Sequence, residues 1–498
     1  MLILLGSFHT GLPAICYEAA DLPEATPEAL PRWRGFNLLE KFILEWDSSG
    51  PFREKDFRLI SELGFNFVRL PMDYRFWILD GDWEQINEDA FADLDQALEF
   101  GAKYGIHVSM NFHRAPGHTV ARPPEPTSLW EDEETQRVCA MHWGYFARRY
   151  KGVPNRLLSF NLFNEPYGIS GEAYAEVVTK IAEAIWAEDP DRLIIADGLS
   201  WGGDPCDELV SSGIAQATRG YLPSGVSHYL ASWMDGADRF PVPEWPSRSA
   251  SGGFLYGPAK QHLKSPLDIR TNVREPVTLA VMVDSVSVHA RLTVWLDGEK
   301  VLAESFTPGP GEGPWKESIL REEYNSYRGL YEQEVRIPIP AGAHTVILDN
   351  TEGDWLSISR LALHNEDGEY DRINIIPKWE EPNLTITIDP ETGRFQTAVV
   401  QNADWLWETR FARWAELRQQ GTGVMVGEWG AYNKTPHDVT LRWMEDNLRV
   451  FERAGLGWAL WNFRGAFGIL DSGRDDVDYE PFHGHQLDRK MLELLQRY

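Results

Sequence analysis

The rhythm of this chain changes twice, and those two changes constrain its fold more than any other feature. From about residue 33 to 235, short apolar runs alternate with segments of helical period. Phe65-Asn-Phe-Val-Arg-Leu-Pro71 reads as a buried strand ended by proline. Residues 87–104 follow with Phe91, Leu94, Leu98 and Ala102 on one helical face, Asn87 as N-cap and Gly105 as stop. Strands are expected at 106–112, 157–163 and 192–196, with helices at 132–151 and 171–188 between and after them. Such alternation calls for a parallel sheet with both faces covered by helices.

From about 236 to 380 the texture turns to short β segments and turns. Arg291-Leu-Thr-Val-Trp-Leu296, Asp297-Gly298 and Lys300-Val-Leu-Ala303 spell a tight hairpin. The α/β rhythm then resumes, with strands at 423–428 and 457–461 and helices at 403–420, 437–454 and 485–497. Counting Arg34-Gly-Phe-Asn37 and Gly225-Val-Ser-His228 as strands gives eight outside the β-rich stretch. The expected fold is therefore α/β: a (β/α)8 TIM barrel with an all-β, jelly-roll-like sandwich inserted between strand 6 and helix 6. A doubly wound open sheet is the runner-up. The expected divisions are an N-terminal segment 1–32, barrel 33–235, insert 236–380 and barrel 381–498. Residues 1–20 read as a degenerate signal peptide without its basic n-region, so a location outside the cytoplasm is slightly favoured over a cytoplasmic one.

Charge narrows the class of partner. The 76 acidic and 47 basic residues leave a net charge of −29, which argues against nucleic acid and against an anionic membrane surface. No apolar run reaches the ~18 residues of a membrane span. The 21 Trp suit either a bulky core or flat platforms for sugar rings. Three cysteines, Cys16, Cys139 and Cys206, have no metal-site spacing.

Two acids stand where a barrel does chemistry. Glu165 follows expected strand 4 in Phe163-Asn-Glu-Pro166, and Glu428 ends expected strand 7 in Val426-Gly-Glu-Trp-Gly430. A carboxylate at the end of an apolar barrel strand is costly unless it faces the active mouth. Strands 4 and 7 lie across the barrel from each other, which suits a reaction needing one acid/base and one nucleophile.

With these motifs the chain resembles glycoside hydrolase family 5, cellulase-like and of clan A, over about 33–235 and 400–498. The resemblance implies a retaining β-glycosidase. Asn164-Glu165-Pro166 matches the acid/base signature and Glu428 the nucleophile. Arg69 in Val68-Arg-Leu-Pro71 matches an arginine that hydrogen-bonds the nucleophile. His113 and Trp461 match residues lining the −1 sugar, and Asn164 one that holds the 2-hydroxyl. His228 matches a strand-6 histidine near the acid/base. The family often carries a tyrosine two residues beyond that histidine; here Leu230 stands there, and Tyr229 takes its place only if a bulge re-aims it. Trp201 is expected near the cleft.

The resemblance implies no metal or organic cofactor, a β-glucan oligo- or polysaccharide as partner, and a monomer or small homo-oligomer. Endo-β-1,4-glucanase action is the first expectation. An exo-acting β-glucosidase or exoglucanase with a pocket closed by the insert, and a β-mannanase or xylanase, are the alternatives. The insert resembles carbohydrate-binding modules around 341–356. A reading from another class is a carbohydrate-binding protein with an inactive barrel. A third is an esterase using the Gly198-Leu-Ser-Trp-Gly202 elbow, against which Gly202-Gly-Asp-Pro205 leaves no room for the helix such an elbow feeds.

Overall fold

The computed structural model describes residues 22–46, 49–234, 236–237, 240–396 and 399–498. The chain forms two compact units, one of residues up to Trp245 together with Ala403–Tyr498, the other Pro246–Asn402.

The first unit is a closed barrel. Its strands are β1 (Arg34–Asn37), β2 (Phe67–Asp73), β3 (His107–Ala115), β4 (Leu158–Asn161), β5 (Ile194–Asp197), β6 (Ala215–Gly220), β7 (Val424–Trp429) and β8 (Gly457–Leu460). Each pairs in parallel with its sequence neighbour, and β8 pairs with β1 to close the ring. The helices packed outside are α1 (Glu54–Glu62), α2 (Ala92–Tyr104), α3 (Glu133–Arg149), α4 (Gly171–Glu188), α5 (Ala412–Gln419), α6 (His437–Ala454) and α7 (Arg489–Arg497).

Local chemistry places the helix ends. The Asp132 side chain accepts from Thr135 N–H at 3.2 Å, Ser170 from Ala173 N–H at 3.3 Å and Asp488 from Met491 N–H at 3.0 Å. Each satisfies a donor that the first helical turn leaves open. Gly105 ends α2 in the left-handed region at φ 67°, where only glycine sits without strain. Buried leucine, phenylalanine and tryptophan side chains between strands and helices make the main core.

Three sequence expectations need correction here. Strand 6 is Ala215–Gly220, and the expected strand at 225–228 falls on a short helix, Ser224–Ser227. The β5–β6 connection holds only the turn Leu199–Gly202 and a 3-10 turn, Asp207–Leu209, so eight strands do not bring eight full helices. Residues 22–33 are also no separate segment. Ala25, Leu30 and Trp33 join Phe67, Ala215, Ala217 and Met425 in a second apolar cluster, and Gly423 N–H donates to Pro27 O at 2.7 Å. The signal-peptide expectation and Cys16 lie outside the described residues. Cys139 and Cys206 are free and buried. Among the described residues no helix is long and apolar enough to cross a membrane.

The second unit is all-β and has its own apolar core. Two long strands, Val277–Leu296 and Gly342–Asn365, pair antiparallel with several register shifts, which bend and twist the 11-stranded sheet they share. The expected hairpin is present: Asp297 and Gly298 take φ 49° and 85° between Leu296 and Glu299. The unit runs from 246 to 402 rather than 236 to 380. Its far boundary moves because Ile386–Thr387 pairs with Ile269–Arg270, and Val399–Gln401 with Ser247–Ser249. Strand pairing, invisible in local pattern, assigns these two strands to the insert.

Candidate active site

The C-terminal ends of the barrel strands converge on a buried set of charges. Glu428 lies on β7, where the register against β6 slips between Val426 and Glu428. Such a slip re-aims a side chain without ending the strand. Arg69 Nη1 on β2 donates to Glu428 Oε1 at 2.6 Å. The rest of that guanidinium is equally fixed: Nε donates to Asn161 Oδ1 at 2.8 Å, Nη1 to Asn37 Oδ1 at 3.0 Å and Nη2 to Asn164 Oδ1 at 2.9 Å. Arg69 is only 1% exposed. Burying a cation so fully is tolerable because four of its five N–H donors are hydrogen-bonded and Asp197 Oδ2 lies 3.9 Å from Nη2.

Glu165 sits past the end of β4 with φ 51°, an uncommon conformation for glutamate. Its backbone N–H donates to Asp197 Oδ2 at 3.0 Å, which holds the turn. Its Oε1 accepts from Arg219 Nε at 3.0 Å. Arg219, on β6, also donates through Nη2 to Asn164 Oδ1 at 2.8 Å and to Asp197, and reaches Glu428 Oε1 at 3.3 Å. Asp197 Oδ1 in turn accepts from Asn161 Nδ2 at 3.0 Å. Two arginines and three carboxylates thus share one small volume.

That crowding separates the two glutamates. Burial and the charge of Glu428 push Glu165 up to about 8, against the opposing pull of Arg219. At neutral pH Glu165 therefore carries a proton, while Glu428 faces two guanidinium groups. Burial keeps His113 well below its ordinary range, and His118 and His228 are lowered to about 4. These histidines are neutral at neutral pH. The Asn164 Nδ2 amide is buried and unpartnered, a donor left for something outside the protein.

The structure brings Glu165, Glu428, Arg69, Asn164, His113 and Trp461 together. Trp461 directly follows β8, with Phe42 edge-on at 5.3 Å and His113 at 5.8 Å. It borders a pocket of about 310 Å³ with Glu40, Trp46, Trp233 and Arg464. Trp201 is 55% exposed and stacks on Tyr167 at 5.0 Å and 7°. Ser200 and Trp201 both take positive φ, 53° and 58°, and no described histidine hydrogen-bonds the Ser200 hydroxyl. The elbow reading lacks its base.

His228 and Tyr229 are corrected. The hydroxyl that reaches Glu428 belongs to Tyr221, donating to Oε2 at 3.3 Å. His228 packs edge-on against the Tyr221 ring at 5.0 Å and bonds Ser227, one layer away from the glutamates. The cause is the displaced strand 6: Arg219, with Tyr221 two residues beyond it, occupies the end of the true strand. Arg219, Asp197 and Tyr221 were the residues missed. The signal available was the strand-like stretch 215–220, whose Gln216, Thr218 and Arg219 hid it.

Residues 25–218 match the family described as Cellulase (glycosyl hydrolase family 5). Endoglucanase C of Acetivibrio thermocellus is 27% identical over 190 residues, 37% of this chain and 54% of that protein. Glucan 1,3-beta-glucosidase 2 of Wickerhamomyces anomalus is 45% identical over 123 residues, 23% of this chain and 28% of that protein. The chain thus spans about half or less of the curated relatives it matches. A solved glycoside hydrolase is 27% identical with a TM-score of 0.60, covering 94% of this chain and 99% of its own. Thermotoga maritima Cel5A, solved with mannotriose, has the same fold at 17% identity and a TM-score of 0.53, over 93% of this chain and 97% of its own. Over residues 25–218, and in its closed barrel, the chain is similar to glycosyl hydrolase family 5.

Proposed function

We propose that this chain is a retaining β-glycoside hydrolase acting on β-linked glucans by endo cleavage, with Glu165 as acid/base and Glu428 as nucleophile. The observation that carries the reading is the split between the two carboxylates. Glu165 is pushed up to about 8 while Glu428 lies against Arg69 at 2.6 Å. Pairs of carboxyls whose surroundings differ in this way divide into acid and nucleophile.

In the first step Glu428 bonds to the anomeric carbon while Glu165 gives its proton to the glycosidic oxygen, and the carbon–oxygen bond to the leaving sugar breaks. In the second step Glu165 takes a proton from water, the water oxygen bonds to the same carbon, and the Glu428 ester breaks. Two inversions leave the β configuration. The unpartnered Asn164 amide suits a sugar 2-hydroxyl, and Trp461 offers a ring face.

Endo action is favoured by aromatic surface on two sides of the glutamates. The exposed Tyr167–Trp201 stack has Tyr167 two residues beyond Glu165 in the chain, and the pocket bordered by Trp461 holds further aromatic walls. The curated endoglucanases it resembles point to glucan. The test is a time course on cello-oligosaccharides and mixed-linkage glucan, read by chromatography and proton NMR. Mixed oligomers appearing first as β-anomers are expected, with kcat falling at least ~10⁴-fold in Glu428→Gln. A single mono- or disaccharide from the start means exo action. An α-anomer appearing first overturns the mechanism, and turnover of mannan or xylan alone overturns the substrate.

A further inference from the structure

Arg219 touches both glutamates at once. Its Nε donates to Glu165 Oε1 at 3.0 Å, and its Nη2 lies 3.3 Å from Glu428 Oε1 and bonds Asp197. Space has been cleared for it on two sides. A Cβ on Gly427 would lie 2.9 Å from Arg219 Nη1, and one on Gly202 would lie 2.7 Å from its Cγ. Gly427 has no positive φ, so the absence of a side chain there is a matter of room and not of backbone freedom.

We propose that Arg219 is a positioning residue of the reaction: it occupies Oε1 of Glu165, leaving Oε2 to give and take the proton, and it ties the two carboxylates into one unit. The proposal rests on the acid/base reading of Glu165. The charge balance explains why one bridging cation suits both steps. Before the reaction Glu165 is protonated, and Arg69 and Arg219 balance Asp197 and Glu428. Once the glycosyl ester forms, Glu428 is neutral and Glu165, having given its proton to the leaving oxygen, is the anion. The negative charge has moved from one oxygen held by Arg219 to the other, and the guanidinium need not move to follow it. A neutral side chain in that place would meet the charge in neither state.

Glu165 is faced by Asp197 from β5, Arg219 and Tyr221 from β6 and the turn after it, Glu428 from β7 and Arg69 from β2, with neutral His113 and His118 on the β3 side. Of the cations in that set, Arg219 alone bonds Glu165 directly. Removing it favours the protonated acid, so activity should persist to higher pH while the base step slows.

The experiment compares the full chain with Arg219→Gln and Arg219→Lys on phenyl and dinitrophenyl β-cellobiosides across pH. In Arg219→Gln the alkaline limb of kcat/KM should move up by about one pH unit. Its kcat on the dinitrophenyl substrate, where leaving-group protonation is not needed, should fall about tenfold or more. Arg219→Lys should restore the limb toward the parent position. An alkaline limb that stays in place in Arg219→Gln, with activity lowered equally at every pH, overturns the proposal. Because Asp197 is left buried and unpaired, a variant that fails to fold is replaced by Asp197→Asn/Arg219→Gln, read in the same way. If the parent turns over no glycoside, the acid/base reading falls. The contact is then tested alone by carbon NMR titration of the Glu165 carboxyl, where an equal midpoint in parent and Arg219→Gln overturns it.

Discussion

The two ends of the barrel are built from opposite materials. At the N-terminal end Trp33 stacks on His107 at 3.9 Å and on Phe67 at 5.2 Å, over Ala215, Ala217 and Ala459. His107, buried beneath Trp33, is closed off by Ser159 at 2.8 Å and by the Arg156 carbonyl at 3.0 Å. At the C-terminal end the same strands present Arg69, Asp197, Arg219 and Glu428, all nearly buried. The floor gains stability from apolar contact. The mouth holds charges whose desolvation is only offset by one another, and it keeps Asn164 Nδ2 unsatisfied. A barrel separates the two tasks along its axis, so a change at one end should leave the other's task alone.

The sharpest test of that separation is Glu165→Gln. Loss of the general acid should lower kcat by about 10²–10⁴-fold on substrates with poor leaving groups. Since folded and unfolded chains both keep the Glu165 proton below about pH 4.5, a neutral isostere should change folding stability at pH 4 by less than ~1 kcal/mol, measured by urea unfolding. A loss of several kcal/mol would join mouth and floor in one function.

The mirror experiment is Trp33→Ala. Emptying that site should cost about 3–5 kcal/mol. Its kcat, measured at a temperature where the variant is still folded, should stay within about twofold of the parent; a tenfold fall would mean that the floor sets the geometry of the mouth.

Proton linkage gives a smaller effect, per pH unit, at both ends. His107 is lowered to about 3 and His118, His142 and His228 to about 4, each chiefly by burial. The unfolded chain takes up protons on them below about 6.5 while the folded one does not. Stability should therefore fall as pH drops from 6.5 toward 4, by at most about 1.4 kcal/mol per pH unit for each histidine. Glu165 has the opposite sign: folded it keeps a proton that the unfolded chain has lost, so its contribution declines as pH rises from about 4.5 to about 8. Urea midpoints of parent and Glu165→Gln across pH 4–9 should converge near pH 4 and separate progressively up to about pH 8, with the variant the more stable. Parallel curves would remove Glu165 from the linkage.

Much of the site was legible because its residues stand in strong local patterns. β2, β3 and β7 read as buried strands, and their catalytic-face residues Arg69, His113 and Glu428 came with them. Glu165 was legible through Asn164 and Pro166 beside it, although its positive φ was not. β6 failed for a physical reason. A strand buried on both faces usually reads as an apolar run. This one is Ala-Gln-Ala-Thr-Arg-Gly, and its polar groups are satisfied far along the chain: Gln216 by Cys206, Thr218 by the Gly202 carbonyl, Arg219 by Glu165 and Asp197.

By itself, then, the sequence determined the alternation that builds a barrel, the break that marks an insert, and the two glutamates on strands 4 and 7. Those depend on period and on neighbours within a few residues, which local composition records. Only the tertiary structure decided that Tyr221 and not Tyr229 meets Glu428, that strands 386–387 and 399–401 belong to the insert, and that Arg219 spans both carboxylates. Each of these rests on pairing or charge compensation between residues far apart in the chain, and a buried charge reveals its purpose only when its partner is beside it.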